Sequence, residues 1–292
     1  MDVYEVRASG LEYLTLVTQL LQRARLADAE AGLWEAADLQ WWWRTPRSSD
    51  MIDQLFWIDD DGPVASVVLT DWGRAWGCDP IVVPGSSTIA LPTVLARALE
   101  AIDGLGLEGV EVLARDDDFE LLDLLAAAGF VADDNQSGST SMDANDRPDV
   151  ASLPEGFVLV DRAKGTTGPH PMQRRSGEGV EARLRQCSLY DPALDLTVEA
   201  LDGQIVGYAL FWFDPLTEVG LVEPMRVEDA YQRRGLARAM LTAGLDRLAK
   251  RGACCLKVGY ATDVARRLYV GAGFRVTSTS RSYSRRKPRL RQ

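Results

Sequence analysis

The sequence predicts an α/β fold that occurs twice in one chain. Three observations carry this: 292 residues of ordinary globular composition, enough for two domains of about 145; strands and helices that alternate in the same order in both halves; and a polar stretch that divides them.

In the first half, VYEVR reads as a strand, followed by a helix over 11–27 and a second near 35–44. The runs LFWI and VASVVLT flank Asp61-Gly62, a hairpin signal. A strand near 75–83, a helix over 91–102, a strand over 109–114 and a helix over 119–129 complete the pattern. The following stretch, from Val131 to Gly156, is rich in Asp, Asn, Ser, Gly and Pro, and a linker is expected at 146–154. Its middle, GSTSMDAN, reads as a last edge strand of the first domain. The domains expected are therefore 1–145 and 155–292.

The second half opens with a strand over 157–162 and a helix over 179–190, then strands over 195–201 and 205–213 around Asp202-Gly203. A strand over 219–227 leads into a helix over 235–252, where Leu236, Met240, Leu241, Leu245 and Leu248 share one face. A strand over 253–260, a helix over 263–273 and strands from Phe274 follow. Both halves end their last helix with Ala-Gly-Phe, at 128–130 and 272–274.

Composition narrows the chemistry. Apolar runs stop well short of the roughly 20 residues of a membrane span, and no signal-peptide pattern opens the chain, so a cytoplasmic protein without membrane attachment is expected. Four scattered cysteines and a single histidine, His170, leave no basis for a disulfide scaffold or zinc, haem or Ser-His-Asp chemistry, and no metal is expected. The net charge of −11 divides unevenly: residues 1–150 carry −19 and no lysine, the remainder +8. The basic half is the one suited to phosphates.

Within it, Gln232-Arg233-Arg234-Gly235-Leu236-Ala237 joins a strand to a long helix. The first turn of a helix leaves amide N–H groups without partners and carries partial positive charge, which makes an anion site. Arg233, Arg234 and Arg238 add charge for a pyrophosphate and a further phosphate. The pattern is neither GxxxxGK[ST] nor GxGxxG.

Gln232, Gly235 and Ala237 fit the [Q/R]-x-x-G-x-[G/A] signature of the GNAT acyltransferase superfamily, and Ala265, Leu268-Tyr269 and Gly273-Phe274 fit a second family pattern, A-x-x-L-Y-x-x-x-G-F. The chain resembles that superfamily over residues 195–274 in element order as well. The resemblance implies two domains, each a mixed, centrally splayed sheet flanked by helices, with acetyl-CoA as donor and an amine as acceptor. It implies that the amides of Arg233 through Ala237 hold the pyrophosphate, and that the backbone of Met225, Arg226 and Val227 receives pantetheine and the acetyl carbonyl. It further implies that Tyr269 protonates the departing sulfur. Thr262 stands where the family often has Asn before its last helix, next to Ala265, so one pantetheine contact is weakened or rerouted.

Glu223 alternates with Met225 and Val227 along one strand, which places the three on one face; a carboxylate there either deprotonates the incoming ammonium or pairs with an Arg such as Arg226. The function expected is N-acetylation of a small-molecule primary amine in a ternary complex. An acyl-CoA-binding scaffold and a protein or peptide N-acetyltransferase are the alternatives, and a homodimer is left open.

The first half carries VVPGSSTIALP (82–92) where the phosphate turn would be, without Arg, and reads as a degenerate domain that shapes the acceptor site. Trp41-Trp42-Trp43 with Arg44 reads as interface packing, with a ligand cage as the alternative. In the loop 165–177, His170, Gln173, Arg174 and Arg175 read as contacts for an acidic acceptor or as plain loop, and His170 is a poor candidate for a catalytic base because a lone loop histidine is ordinarily solvated. Cys254 and Cys255 read as inert packing with at least one buried, Asp116–Asp118 as helix-capping charge, and the basic end 285–291 as a solvated tail without nucleic-acid binding.

Overall fold

The computed structural model describes residues 3–164 and 168–285. It divides into two compact units, one of residues 1–39, 46–137 and 278–292, the other of residues 40–45 and 138–277.

The first unit takes β1 (Tyr4–Ala8), α1 (Gly10–Ala27) and the start of α2 (Ala36–Trp43), then β2 (Gln54–Asp59), β3 (Gly62–Asp71), β4 (Trp76–Val82), α3 (Leu91–Gly104), β5 (Val110–Arg115) and α4 (Phe119–Ala127). β1 to β4 form an antiparallel meander. β4 and β5 are parallel but pair only at Trp76–Val110 and Gly77–Glu111, and then diverge. Asp118 caps α4 by accepting from the Leu121 amide, as its short side chain at the N-cap predicts. Val94, Leu95, Ala98 and Ile102 of α3 bury one stripe against Val67, Leu69 and Cys78 of the sheet.

The second unit follows from β6 (Val131–Asp143), which begins in the first, through β7 (Phe157–Asp161), α5 (Gln173–Ser176) and α6 (Val180–Leu184). β8 (Asp195–Ala200), β9 (Ile205–Asp214), β10 (Val219–Val227), α7 (Leu236–Lys250), β11 (Cys255–Tyr260), α8 (Asp263–Gly271) and β12 (Arg275–Arg285) complete the chain. The sheet runs β7-β8-β9-β10 antiparallel, with β11 parallel to β10.

Each sheet closes with a strand from the other half of the sequence. GSTSMDAN is a strand, but Gly138–Asp143 pairs with β11 of the second unit, where Thr140 Oγ1 donates to the Val258 carbonyl at 2.9 Å. Ser280–Arg285 of β12 pairs with β5 of the first unit. Alternation alone cannot name the partner of such a strand.

Leu241, Leu245 and Leu248 of α7 pack on Val206, Ala209 and Phe211 of β9. Gly244 lets the helix approach closely: a Cβ there would stand 2.0 Å from Cζ of the fully buried Phe211 ring. Gly244→Ala should therefore destabilise the protein by about 1–3 kcal/mol despite the better helix propensity of Ala. Gly271→Ala, where a Cβ meets nothing within 4 Å, should be neutral or stabilising. Urea unfolding midpoints compare the two.

Candidate functional site

The second unit's sheet opens at its centre. β10 and β11 pair from Val219–Cys255 to Leu221–Lys257 and no further, although both continue to Val227 and Tyr260. Beyond Leu221 the β11-facing edge of β10 has no strand partner, so its backbone donors and acceptors are available to a ligand.

At the opening β10 also carries a bulge. Its register on β9 slips between Val222 and Met225, opposite Phe211 and Ala209. The extra residue breaks the alternation that the sequence suggested for Glu223, Met225 and Val227, so these three do not simply share a face. The Glu223–Pro224 peptide within the bulge is cis. The Glu223 carbonyl accepts from Trp212 Nε1 at 2.7 Å, which ties the bulge to the fully buried Trp212.

The Glu223 carboxyl is half-buried, and burial pushes its pKa up to about 7; the Arg44 guanidinium and a hydrogen bond from the Trp41 indole work in the opposite direction. Those two residues come from the 40–45 segment that groups with this unit. Arg44 stacks 3.2 Å from the centroid of Trp41 and its Nε donates to Ser176 Oγ at 3.2 Å. The tryptophan cluster thus serves the site through Trp41, while Trp43 donates from Nε1 to Gln186 and carries Arg183 over its ring. Arg226, the partner suggested by sequence, lies instead 3.6 Å from Asp229, and its buried Nε has no hydrogen-bond partner among the described residues.

Tyr269 on α8 is 7% exposed and packs edge-on against Phe274. Burial, then the Glu223 charge, raise the pKa of its phenol, so the tyrosine keeps its proton and lies within electrostatic reach of that carboxylate.

The turn before α7 has the features of an anion cradle. Arg233 and Gly235 take positive φ, 60° and 85°, and Gly235 caps the helix in the left-handed region without a side-chain cap. No backbone carbonyl among the described residues takes the amides of Arg233 through Arg238. Gln232 holds the turn by donating to the Val227 carbonyl and Asp229, and Arg234 donates to the Ala230 carbonyl. Arg233, Arg234 and Arg238 are exposed around it, whereas Leu236 is buried and Ala237 packs on the core. These donors and charges fit a pyrophosphate. Thr262, by contrast, is engaged locally: its hydroxyl accepts from the Ala265 amide at 3.2 Å and caps α8.

Other sequence expectations are corrected. His170 is buried, not solvated; its Nδ1 accepts from the Met172 amide, so Nε2 carries the proton and donates to the buried Asp195 at 2.8 Å. Tyr190 donates to the same oxygen. This network ties the loop to β8 and places no histidine at the strand opening. Arg175 forms a two-pronged pair with Glu228, which holds that carboxylate below its usual range. Cys254, which precedes β11, is exposed and Cys255 is half-buried, so neither is fully buried as expected. The tail from 286 lies outside the described residues. Among the described residues, no cluster of His, Cys, Asp and Glu is placed to hold a metal, and no helix is long and apolar enough to cross a membrane.

Residues 167–274 match the model of the acetyltransferase (GNAT) family. Over 98% of this chain and 99% of the other, the fold matches that of a tandem GNAT protein from the clavulanic acid biosynthesis pathway, with a TM-score of 0.70 at 16% identity. Residues 167–274 thus carry a GNAT-family domain, within a chain whose fold is like that of a tandem GNAT protein. A GCN5-related N-acetyltransferase from Sphaerobacter thermophilus shares the fold at TM-score 0.62 and 18% identity, over 98% of this chain and 96% of its own. One from Kribbella flavida does so at 0.54 and 17%, over 92% and 97%. No curated protein sequence matches the chain.

The environment of Glu223 makes stability depend on pH. Between its ordinary value of 4.5 and about 7 the folded protein holds a proton that the unfolded chain has released, so this residue's contribution to stability falls as pH rises through that window. Glu223→Gln removes the titration. Relative to wild type, the variant should gain about 1–3 kcal/mol from pH 5 to 8 and then level off, as read from urea unfolding across pH.

Proposed function

We propose that the second unit transfers an acetyl group from acetyl-CoA to the primary amine of a small molecule, with both substrates bound together. The observation that carries the reading is the opening between β10 and β11, bordered at one end by the unpaired amides before α7 and at the other by Glu223 and Tyr269. Acetyl-CoA supplies an acyl thioester, whose C–S bond breaks as the C–N bond to the amine forms.

The chain's own residues divide the work as follows. The amides of Arg233 through Ala237, with Arg233, Arg234 and Arg238, hold the pyrophosphate and neighbouring phosphate. The open edge of β10 at Met225, Arg226 and Val227 hydrogen-bonds the extended arm of the donor as an added strand would. Glu223, poised near neutrality, takes a proton from the incoming ammonium so that its nitrogen lone pair is free to attack. Tyr269 gives the proton of its hydroxyl to the departing sulfur. Its raised pKa suits it to hold that proton until the thiolate forms. The small-molecule acceptor is supported by the enclosure of Glu223 beneath Trp41 and Arg44.

The first domain, 1–145 in sequence, is read as non-catalytic. The equivalent of its phosphate turn has no arginine, and α3, capped at Ala90, has Pro92 in its first turn, which removes a donor.

With acetyl-CoA and an amine acceptor, kcat/KM should rise with pH along a limb of apparent pKa near 7. Glu223→Gln should lower the rate at pH 7.5 by roughly 10²-fold or more and abolish the limb. Tyr269→Phe should leave acetyl-CoA affinity unchanged while slowing turnover about as much. Full activity in both variants would defeat the assignment.

A further inference from the structure

The first unit's sheet is also open at its centre, and what lines that opening is of the opposite charge. β4 and β5 part after Gly77–Glu111, and a cavity of about 510 Å³ lies along the parted strands. Its walls come from Asp79–Val83 of β4, Leu113–Arg115 of β5, the 84–91 approach to α3, the start of α4, and Leu33 and Trp34. The volume suits a small ligand, and the walls are mostly apolar.

Asp79 is a buried carboxyl set among these walls. It is 7% exposed and accepts a hydrogen bond from Trp34 Nε1 at 2.9 Å, and no arginine or lysine among the described residues pairs with it. Burial accordingly pushes its pKa up to about 6. An ionised carboxylate buried in apolar surroundings without a cation is costly, and it is relieved by a ligand that brings one.

The cations nearby are already committed. Arg25 is in a buried ion pair with Glu35 at 2.7 Å and donates to the Ala29 carbonyl; Arg115 pairs with Asp117 and donates to the Glu30 carbonyl. The remaining charged lining groups are Asp118, which caps α4, and Glu120. Each arginine is offset by its own carboxylate, so the cavity presents surplus negative charge from Asp79, Asp118 and Glu120. Such a lining repels an anion such as a nucleoside phosphate and attracts a cation.

We infer that the first unit binds a small organic cation, an ammonium group on an apolar stem, in this cavity, with Asp79 as its counter-ion and the parted strands as its walls. Trp34 orients the carboxylate through its indole N–H, and the stem lies against Ile81, Val83, Leu91 and Leu113. The ligand carries its own positive charge into a site whose two arginines are already paired with carboxylates.

The test uses the full-length protein and benzylammonium as probe, with uncharged benzyl alcohol beside it, followed by the indole N–H resonance of Trp34 in a ¹H–¹⁵N spectrum assigned with Trp34→Phe. Saturable benzylammonium binding that moves this resonance, with benzyl alcohol at least about tenfold weaker, is expected from a charge-assisted contact. Asp79→Asn should cost benzylammonium tenfold or more and benzyl alcohol little. The wild-type comparison needs no variant, so it decides the matter even if Asp79→Asn does not fold. An unmoved Trp34 resonance, equal affinity for the two probes, or acetyl-CoA shifting the same resonance would overturn the inference. None of these outcomes bears on the second unit's chemistry.

Discussion

Two parallel strands that pair for three residues and then separate dominate the second unit. A parted pair leaves backbone groups near the centre of a domain without the partners that buried amides and carbonyls require. The sheet tolerates this because β9 secures the far edge of β10 through Val227, and β6 secures the far edge of β11 through Tyr260. The opening is thus held by its outer strands, and it leaves backbone groups that an extended ligand could pair with. The bulge at 223–224 sits at the point of parting, where the twist it introduces is least opposed.

Electrostatics then distinguishes the two units, whose sheets part at corresponding places. The turn before α7 gathers unpaired amides and three exposed arginines, while the approach to α3 offers Ser, Thr and Pro and a largely apolar cavity with a small surplus of carboxylates. One architecture thus presents openings of opposite charge. The charge difference between the halves of the sequence is the large-scale trace of this local contrast.

Much of this was legible in the residues. The phosphate turn declares itself because Gly235 and its flanking arginines are contiguous, and the element order follows from periodicity. What the sequence hid depends on contacts between distant positions. Trp41 and Arg44 reach Glu223 across some 180 residues, so the tryptophan cluster reads as packing until the fold brings them together. The bulge defeats strict alternation, and only Pro224, an unusual residue for a central strand, hinted at it. The exchange of β6 and β12 between sheets is invisible to local pattern. His170 misled because loops rich in Gly and Pro are ordinarily wet, whereas here Asp195 and Tyr190 hold the ring inside.

The account stands on the anion cradle at the start of α7, and acetyl-CoA titration by calorimetry tests it most directly, on the full chain and on Gly235→Glu. The variant adds a carboxylate where a Cβ meets no neighbour, so the fold should persist with only the modest strain of a non-glycine residue at positive φ. A single site per chain in wild type, lost in a variant that still unfolds cooperatively, is the predicted result. Undiminished affinity in Gly235→Glu, or no binding by wild type, would contradict it.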